Sequence, residues 1–155
     1  MRRKDRQLTE SSEIEQIIAR ADVCRIALAD NNIPYIVTMN FGYPGGKNGC
    51  FYFHCAMEGR KLEMIRKNNY VCFELDTDHE LFEGEMGCDW GMKFSSVVGY
   101  GRISIVEERE LRISALDYIL SHYSERKTFS YDEKVLENTA ILRLDIEEMN
   151  GKRKL

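Results

Sequence analysis

Tyr52-Phe53-His54-Cys55-Ala56-Met57-Glu58-Gly59-Arg60-Lys61 holds a strand end, a turn and a helix start within ten residues. The aromatic strand stops at His54, small residues make the turn, and the helix opens with Gly, Arg and Lys. Cations at a helix N-terminus oppose the macrodipole, at ~0.3–1 kcal/mol each when exposed. Two in succession are out of place unless an anion sits there. Free N–H groups at a helix start plus two basic side chains make a phosphate site; the bland alternative is that Arg60 and Lys61 point into water. His54 precedes the turn. His79 and His122 have no ligand spacing to it, so it reads as a packed, hydrogen-bonded side chain, or as a donor toward a phosphate or ring oxygen, rather than a metal ligand.

Upstream, residues 50–54 form the strand that feeds this motif, and residues 42–49 (GYPGGKNG) are a flexible connection into it. Residues 34–41 (PYIVTMNF) are another strand, with Pro34 at its first position, where a missing N–H does least harm. Asp30-Asn31-Asn32 supplies turn chemistry, and residues 23–29 are the strand before it. A first helix is expected to begin near Ser12. Ser12 and Glu15 fit a capping box, and Ile14, Ile17, Ile18 and Ala21 repeat at i, i+3, i+4, i+7.

Downstream, residues 59–69 predict a short helix and residues 70–75 (YVCFEL) a β-branched and aromatic strand. Residues 79–91 (HELFEGEMGCDWG) are acidic, Gly-rich and without period, which predicts a long loop of the kind that often carries function. Residues 93–106 are a long strand that Gly99 and Gly101 allow to bend or bulge. Residues 107–123 form an amphipathic helix bearing Leu111, Ile113, Leu116, Ile119 and Leu120. A shorter helix near 131–138 follows, then an alternating strand at 140–146, and the basic tail 151–155 is expected in solvent. About six strands and three to four helices, without regular strand–helix alternation, favour a mostly β fold: an antiparallel barrel with peripheral helices.

A chain of 155 residues, 43% hydrophobic, fits one domain over residues 1–155 with a real core. The net charge of −4 argues against nucleic acid as the main partner. The basic opening Met1-Arg2-Arg3-Lys4-Asp5-Arg6 is not followed by an apolar run, so neither a signal peptide nor a membrane span is expected. Five cysteines without a C-x-x-C pair read as reduced thiols of a cytoplasmic protein, not as a zinc site. There is no G-x-S-x-G, no Walker loop and no G-x-G-x-x-G after a strand. If the protein is an enzyme, a cofactor must carry the chemistry.

Residues 52–61 closely resemble the F-H-x-A-x-x-G-x-K motif of the pyridoxamine-phosphate-oxidase-like flavoproteins, in particular their nitroimidazole-resistance branch. The opening residues 1–6, the strand and its continuation at 34–43, the segment 93–101 (KFSSVVGYG) and the ending 146–152 (IEEMNGK) resemble that branch in the same order. The resemblance implies a homodimeric FMN-binding split β-barrel with FMN at the subunit interface. It implies that the strand containing Val37, Thr38, Met39 and Asn40 lines the isoalloxazine through backbone groups. His54, Arg60 and Lys61 face the ribityl phosphate, with Phe53 and Gly59 beside them in the motif, and Ser96 and Val97 add contacts, some across the dimer. One position departs from the family pattern: Ser95 stands where members often carry Arg. Trp90, the only tryptophan, either stacks beside the flavin, covers the substrate or plugs its own loop.

The expected activity is flavin-dependent reduction of a small molecule, a nitroaromatic compound among the candidates. Pyridoxamine phosphate oxidation proper would need a second phosphate site, and the chain shows one compact basic cluster. A third expectation is a carrier of flavin or haem without turnover, with His54 as an axial ligand. A homodimer is also expected from coverage alone, because the helices are too few to cover both faces of the strands.

Overall fold

The computed structural model describes residues 3–46, 49–126 and 128–155. Met1 and Arg2 of the basic opening, and Lys47 and Asn48 of the 42–49 connection, lie outside them. The elements in chain order are β1 (Gln7–Leu8), α1 (Ser11–Arg20), β2 (Cys24–Asp30), β3 (Ile33–Met39), β4 (Cys50–Ala56), α2 (Arg60–Lys67), β5 (Tyr70–Phe82), β6 (Gly91–Val106), α3 (Arg109–Tyr123), α4 (Glu133–Glu137) and β7 (Thr139–Lys154). The seven strands pair antiparallel in the order β1-β7-β6-β5-β2-β3, and β4 pairs with the first half of β7. This is a mostly β split barrel with helices at its edges. No helix among the described residues is long and apolar enough to cross a membrane.

Local chemistry accounts for most of the order. Asn31 and Asn32 take φ of 49° and 63°, which closes the β2–β3 hairpin as the turn residues predict. The α1 periodicity buries Ile14, Ile17, Ile18 and Ala21 against the barrel. The expected Ser12–Glu15 capping box does not form: the helix begins at Ser11 with Glu10 as its N-cap and no side-chain cap bond. Ser12 is thereby already inside the first turn. Gly99 and Gly101 mark a bend, with a register shift between Tyr100 and Gly101. A Cβ on Gly101 would lie 2.1 Å from the Asp145 carbonyl oxygen, so the close strand approach demands glycine there.

Two expectations need correction. Residues 79–91 are not a long loop: β5 continues to Phe82 and β6 starts at Gly91, leaving a short connection that contains a 3-10 turn at Gly87–Asp89. This ribbon runs beyond the core, so its strands lack hydrophobic alternation. It is held by cross-strand pairing, the Lys93–Glu80 ion pair at 3.0 Å, and Lys154 over the Phe82 ring. The tail 151–155 is not free in solvent either. β7 runs to Lys154, Gly151 is buried between β1 and β6, and Arg153 pairs with Glu13 at 2.9 Å.

The barrel interior is aromatic: Phe41, Phe51, Phe53 and Phe73 are fully buried, with the Phe51 and Phe73 rings 5.1 Å apart. A second, smaller core joins Cys50, Tyr52, Val106 and Ile141 to Ala115 and Ile119 of α3. α3 is pinned at its C-terminal end. Tyr123 Oη donates to the Asp22 carbonyl and accepts from Phe41 N–H, and His122 Nε2 lies 2.8 Å from the Ala21 carbonyl oxygen. The expected apolar face is only partly used, since Leu120 stays exposed and Leu116 is half-buried.

Candidate functional site

The ends of β3 and β4, the start of α2 and the α4–β7 junction surround a cleft of about 490 Å³. Strand alternation aims the side chains. In β3, Met39 is buried and Val37 half-buried, whereas Thr38 and then Asn40 turn outward. In β4, Phe53 enters the barrel and His54 faces out. In α2, Leu62, Met64 and Ile65 are buried, which leaves Arg60 exposed and Lys61 half-buried at the cleft. Thr38, Met39, Asn40, His54 and Lys61, all expected from the sequence, line this one cleft.

The start of α2 combines two cations with a helix end that no side chain caps. Gly59 adopts φ 125° and ψ 166°, a conformation open to glycine, although nothing lies within 4 Å of a Cβ placed there. No side chain caps the helix, and its first carbonyl ladder begins with Leu62 and Glu63 N–H bonding to Gly59 O. The N–H groups of Arg60 and Lys61 therefore fall outside that ladder. Lys61 Nζ donates to Met39 Sδ at 3.6 Å, a weak acceptor. Burial pushes the Cys55 thiol up, partly offset by the adjacent Lys61 cation. The Arg60 guanidinium lies 4.6 Å from the centre of the Tyr35 ring. Among the described residues, no ion pair involves Arg60 or Lys61.

Four lining residues were missed: Cys55, Ala56, Asn138 and Thr139. The first two sit inside the motif and were open to inspection. The other two come from more than 80 residues away, and their position is fixed by tertiary contacts. Asn138 Nδ2 donates to Lys134 O at 2.7 Å, Thr139 Oγ1 to Val135 O at 2.8 Å, and Arg112 Nη2 to the Thr139 and Leu136 carbonyls.

The remaining expected residues stand elsewhere. The Phe53 and Val97 side chains are fully buried in the core, so only their backbone can face a ligand. Ser96 is paired with Asp76 and Lys152 and does not line the cleft. Trp90 is exposed at the tip of the β5–β6 ribbon, where its Nε1 donates to Gly84 O at 2.9 Å. Within one chain, Trp90, Ser96 and Val97 do not join the cleft. Ser95 is buried and accepts a long bond, 3.4 Å, from Arg153 Nε, so a guanidinium reaches this position from the neighbouring strand.

A profile of pyridoxamine 5'-phosphate oxidase matches residues 10–153. The chain belongs to this family. Among solved structures it is similar to a candidate 5-nitroimidazole antibiotic resistance protein from Bacteroides thetaiotaomicron, with a TM-score of 0.83 and 32% identity over 95% of this chain and 86% of the other. The flavocytochrome Anf3 of Azotobacter vinelandii superposes with a TM-score of 0.84 at 16% identity, over 100% of this chain and 72% of the other. A FAD and haem binding protein of Mycobacterium smegmatis gives 0.82 at 13% identity, over 96% and 73%. These last two share the family's fold. An uncharacterized protein of Rhizobium meliloti is 29% identical over 63 residues, which is 41% of this chain and 39% of that relative.

Proposed function

We propose that the cleft binds FMN, that two copies of the chain complete the site, and that the bound flavin serves the reduction of a small molecule. The observation that carries this is the pair of cations with no carboxylate partner among the described residues, Arg60 and Lys61, at an uncapped helix start beside the cleft. A ribityl phosphate there would meet helix N–H groups, an ammonium and a guanidinium. Thr38, Asn40 and His54 offer hydrogen-bonding groups along the rest of the cleft. The flavin, once bound, supplies the redox chemistry, and the chain's residues bind it and orient it. A single anchor and the lack of a dinucleotide fingerprint favour FMN over FAD.

The second copy is supported by the outer face of the sheet. Ile36, Ala27, Cys72 and Tyr100 stand opposite one another across β3, β2, β5 and β6, with Val98 two residues along on the same face. Ile36 is 64% exposed, and Tyr100 and Val98 are exposed as well. Apolar surface of this kind marks an interface, and a two-fold pair is the commonest way to cover it. The pairing would bring Ser96 and Val97 of one chain to the cleft of the other, as the family resemblance implies.

The test is the absorption spectrum of freshly purified protein, with chromatography of the ligand released by heat. FMN is expected. Recovery of FAD, a Soret band, or no flavin binding after reconstitution would overturn the proposal.

A further inference from the structure

A second cavity of about 320 Å³ opens on the far side of His54. That is at the small end of ligand pockets, ~300–1,000 Å³. Leu116, Ile119 and Leu120 of α3 and Val135 and Leu136 of α4 form most of its wall. Part of this wall is apolar surface the core does not use: Leu120 is 37% and Val135 64% exposed. Exposed apolar side chains gathered around a concavity mark a binding site.

The polar groups here are few and mostly committed. Tyr131 Oη donates to Asp117 Oδ1 at 2.6 Å, and Asp132 Oδ1 accepts from Val135 N–H as the cap of α4. Burial and the adjoining Asp117 carboxylate push the Tyr131 phenol well above its ordinary value, so it stays a neutral donor bound to that acid. Ser130 and His54 remain to bond a ligand. Among the described residues no Lys or Arg lines the cavity, whereas Asp132 does and Asp117 stands behind Tyr131. An anion entering it would be desolvated without a Lys or Arg among the described residues to offset the cost, and repelled by the carboxylates.

His54 and Thr139 line both the cleft and this cavity. An occupant of one is separated from an occupant of the other by little more than an imidazole. We propose that the cavity is the substrate subsite, that it takes uncharged, flat, apolar compounds of one or two rings, and that it excludes phosphorylated ones. The cavity's role as a substrate subsite rests on the cleft holding the flavin; its binding preference rests on its own lining. The family takes its name from an enzyme of a phosphorylated amine, and among the described residues this cavity offers such a molecule no Lys or Arg.

The experiment is isothermal titration of the whole protein, with and without FMN, using menadione as the uncharged two-ring probe and pyridoxamine 5'-phosphate as the anionic one. Menadione is expected to bind in both forms, and pyridoxamine 5'-phosphate neither to bind beside FMN nor to displace menadione. Leu120→Trp and Val135→Trp, both at exposed positions, each fill the cavity and should weaken menadione at least about tenfold, equivalent to ~1.4 kcal/mol, with FMN affinity unchanged. No menadione binding, or binding that survives both fillings, would overturn the proposal, as would pyridoxamine 5'-phosphate binding lost on filling. Should FMN fail to bind while menadione is still lost on filling, the cavity preference stands and the flavin reading alone falls.

Discussion

The cleft and the β5–β6 ribbon treat positive charge in opposite ways. Around the ribbon, Arg20 pairs with Asp78 at 2.8 Å, Arg25 with Asp76 and Glu74 at 2.6 and 3.0 Å, and Lys93 with Glu80 at 3.0 Å. At the cleft, Lys61 touches a thioether and Arg60 an aromatic ring. Paired surface charges add little to stability and serve mainly to fix an extended ribbon that lacks a core of its own. Unpaired cations in a concave site oppose the local helix dipole and gain a role only when an anion arrives.

The sharpest way to break this contrast is to neutralise the cleft. Arg60→Ala with Lys61→Ala removes two charge-assisted contacts of ~1.5–3 kcal/mol each. FMN affinity should fall by about a hundredfold or more, while the melting temperature of the flavin-free protein barely moves, since neither residue holds an ion pair. Fluorescence titration at fixed salt measures the first, calorimetry the second. Unchanged affinity would remove the phosphate site from Gly59-Arg60-Lys61.

A second test asks whether the two regions meet across a dimer. If Ser96 and Val97 complete the partner's cleft, dilution to the monomer should release FMN, and FMN should draw the equilibrium back. Flavin at about 100 times its dissociation constant should also add ~2.7 kcal/mol of stability if it binds the native state alone. Sedimentation across a concentration series, with and without FMN, measures the linkage. A monomer that keeps stoichiometric FMN would show that each chain builds its own site.

The smallest effect is expected in the ribbon. Asp78 holds φ 60° in the irregularity between Thr77 and Glu80 and bonds Arg20, which lowers its pKa below the ordinary 3.8. A depressed carboxylate contributes stability that is present above its unfolded value and lost as pH falls through the folded one. Asp78→Asn keeps a side chain that tolerates the left-handed backbone. It should cost less than ~1 kcal/mol at neutral pH, as an exposed pair does. The deficit should vanish in acid, below the ordinary carboxylate range. A deficit that persists unchanged in acid would assign the effect to backbone rather than charge.

Short-range chemistry was legible throughout. Asn31 and Asn32 announced their hairpin because few residue pairs accept two positive φ angles in succession. The segment from Phe53 to Lys61 announced a strand, a turn and a charged helix start because those features are written in adjacent residues. The periodicity of Ile14, Ile17 and Ile18 named the buried face of α1, although the Ser12 cap did not form, since helix ends shift by a residue at little cost.

What the residues could not announce depended on partners far along the chain. The strands of 79–82 and 151–154 carry no clear burial pattern of their own; they become strands because β6 is long enough to pair with both. Asn138 and Thr139 reach the cleft only because Arg112 ties the end of α4 to α3. The residue types around the cleft, and the cations facing it, were determined by the sequence alone. Which of them meet in one cavity, and that Ser96 and Trp90 do not line it, was decided by register in the barrel, a property of the paired strands that no single segment contains.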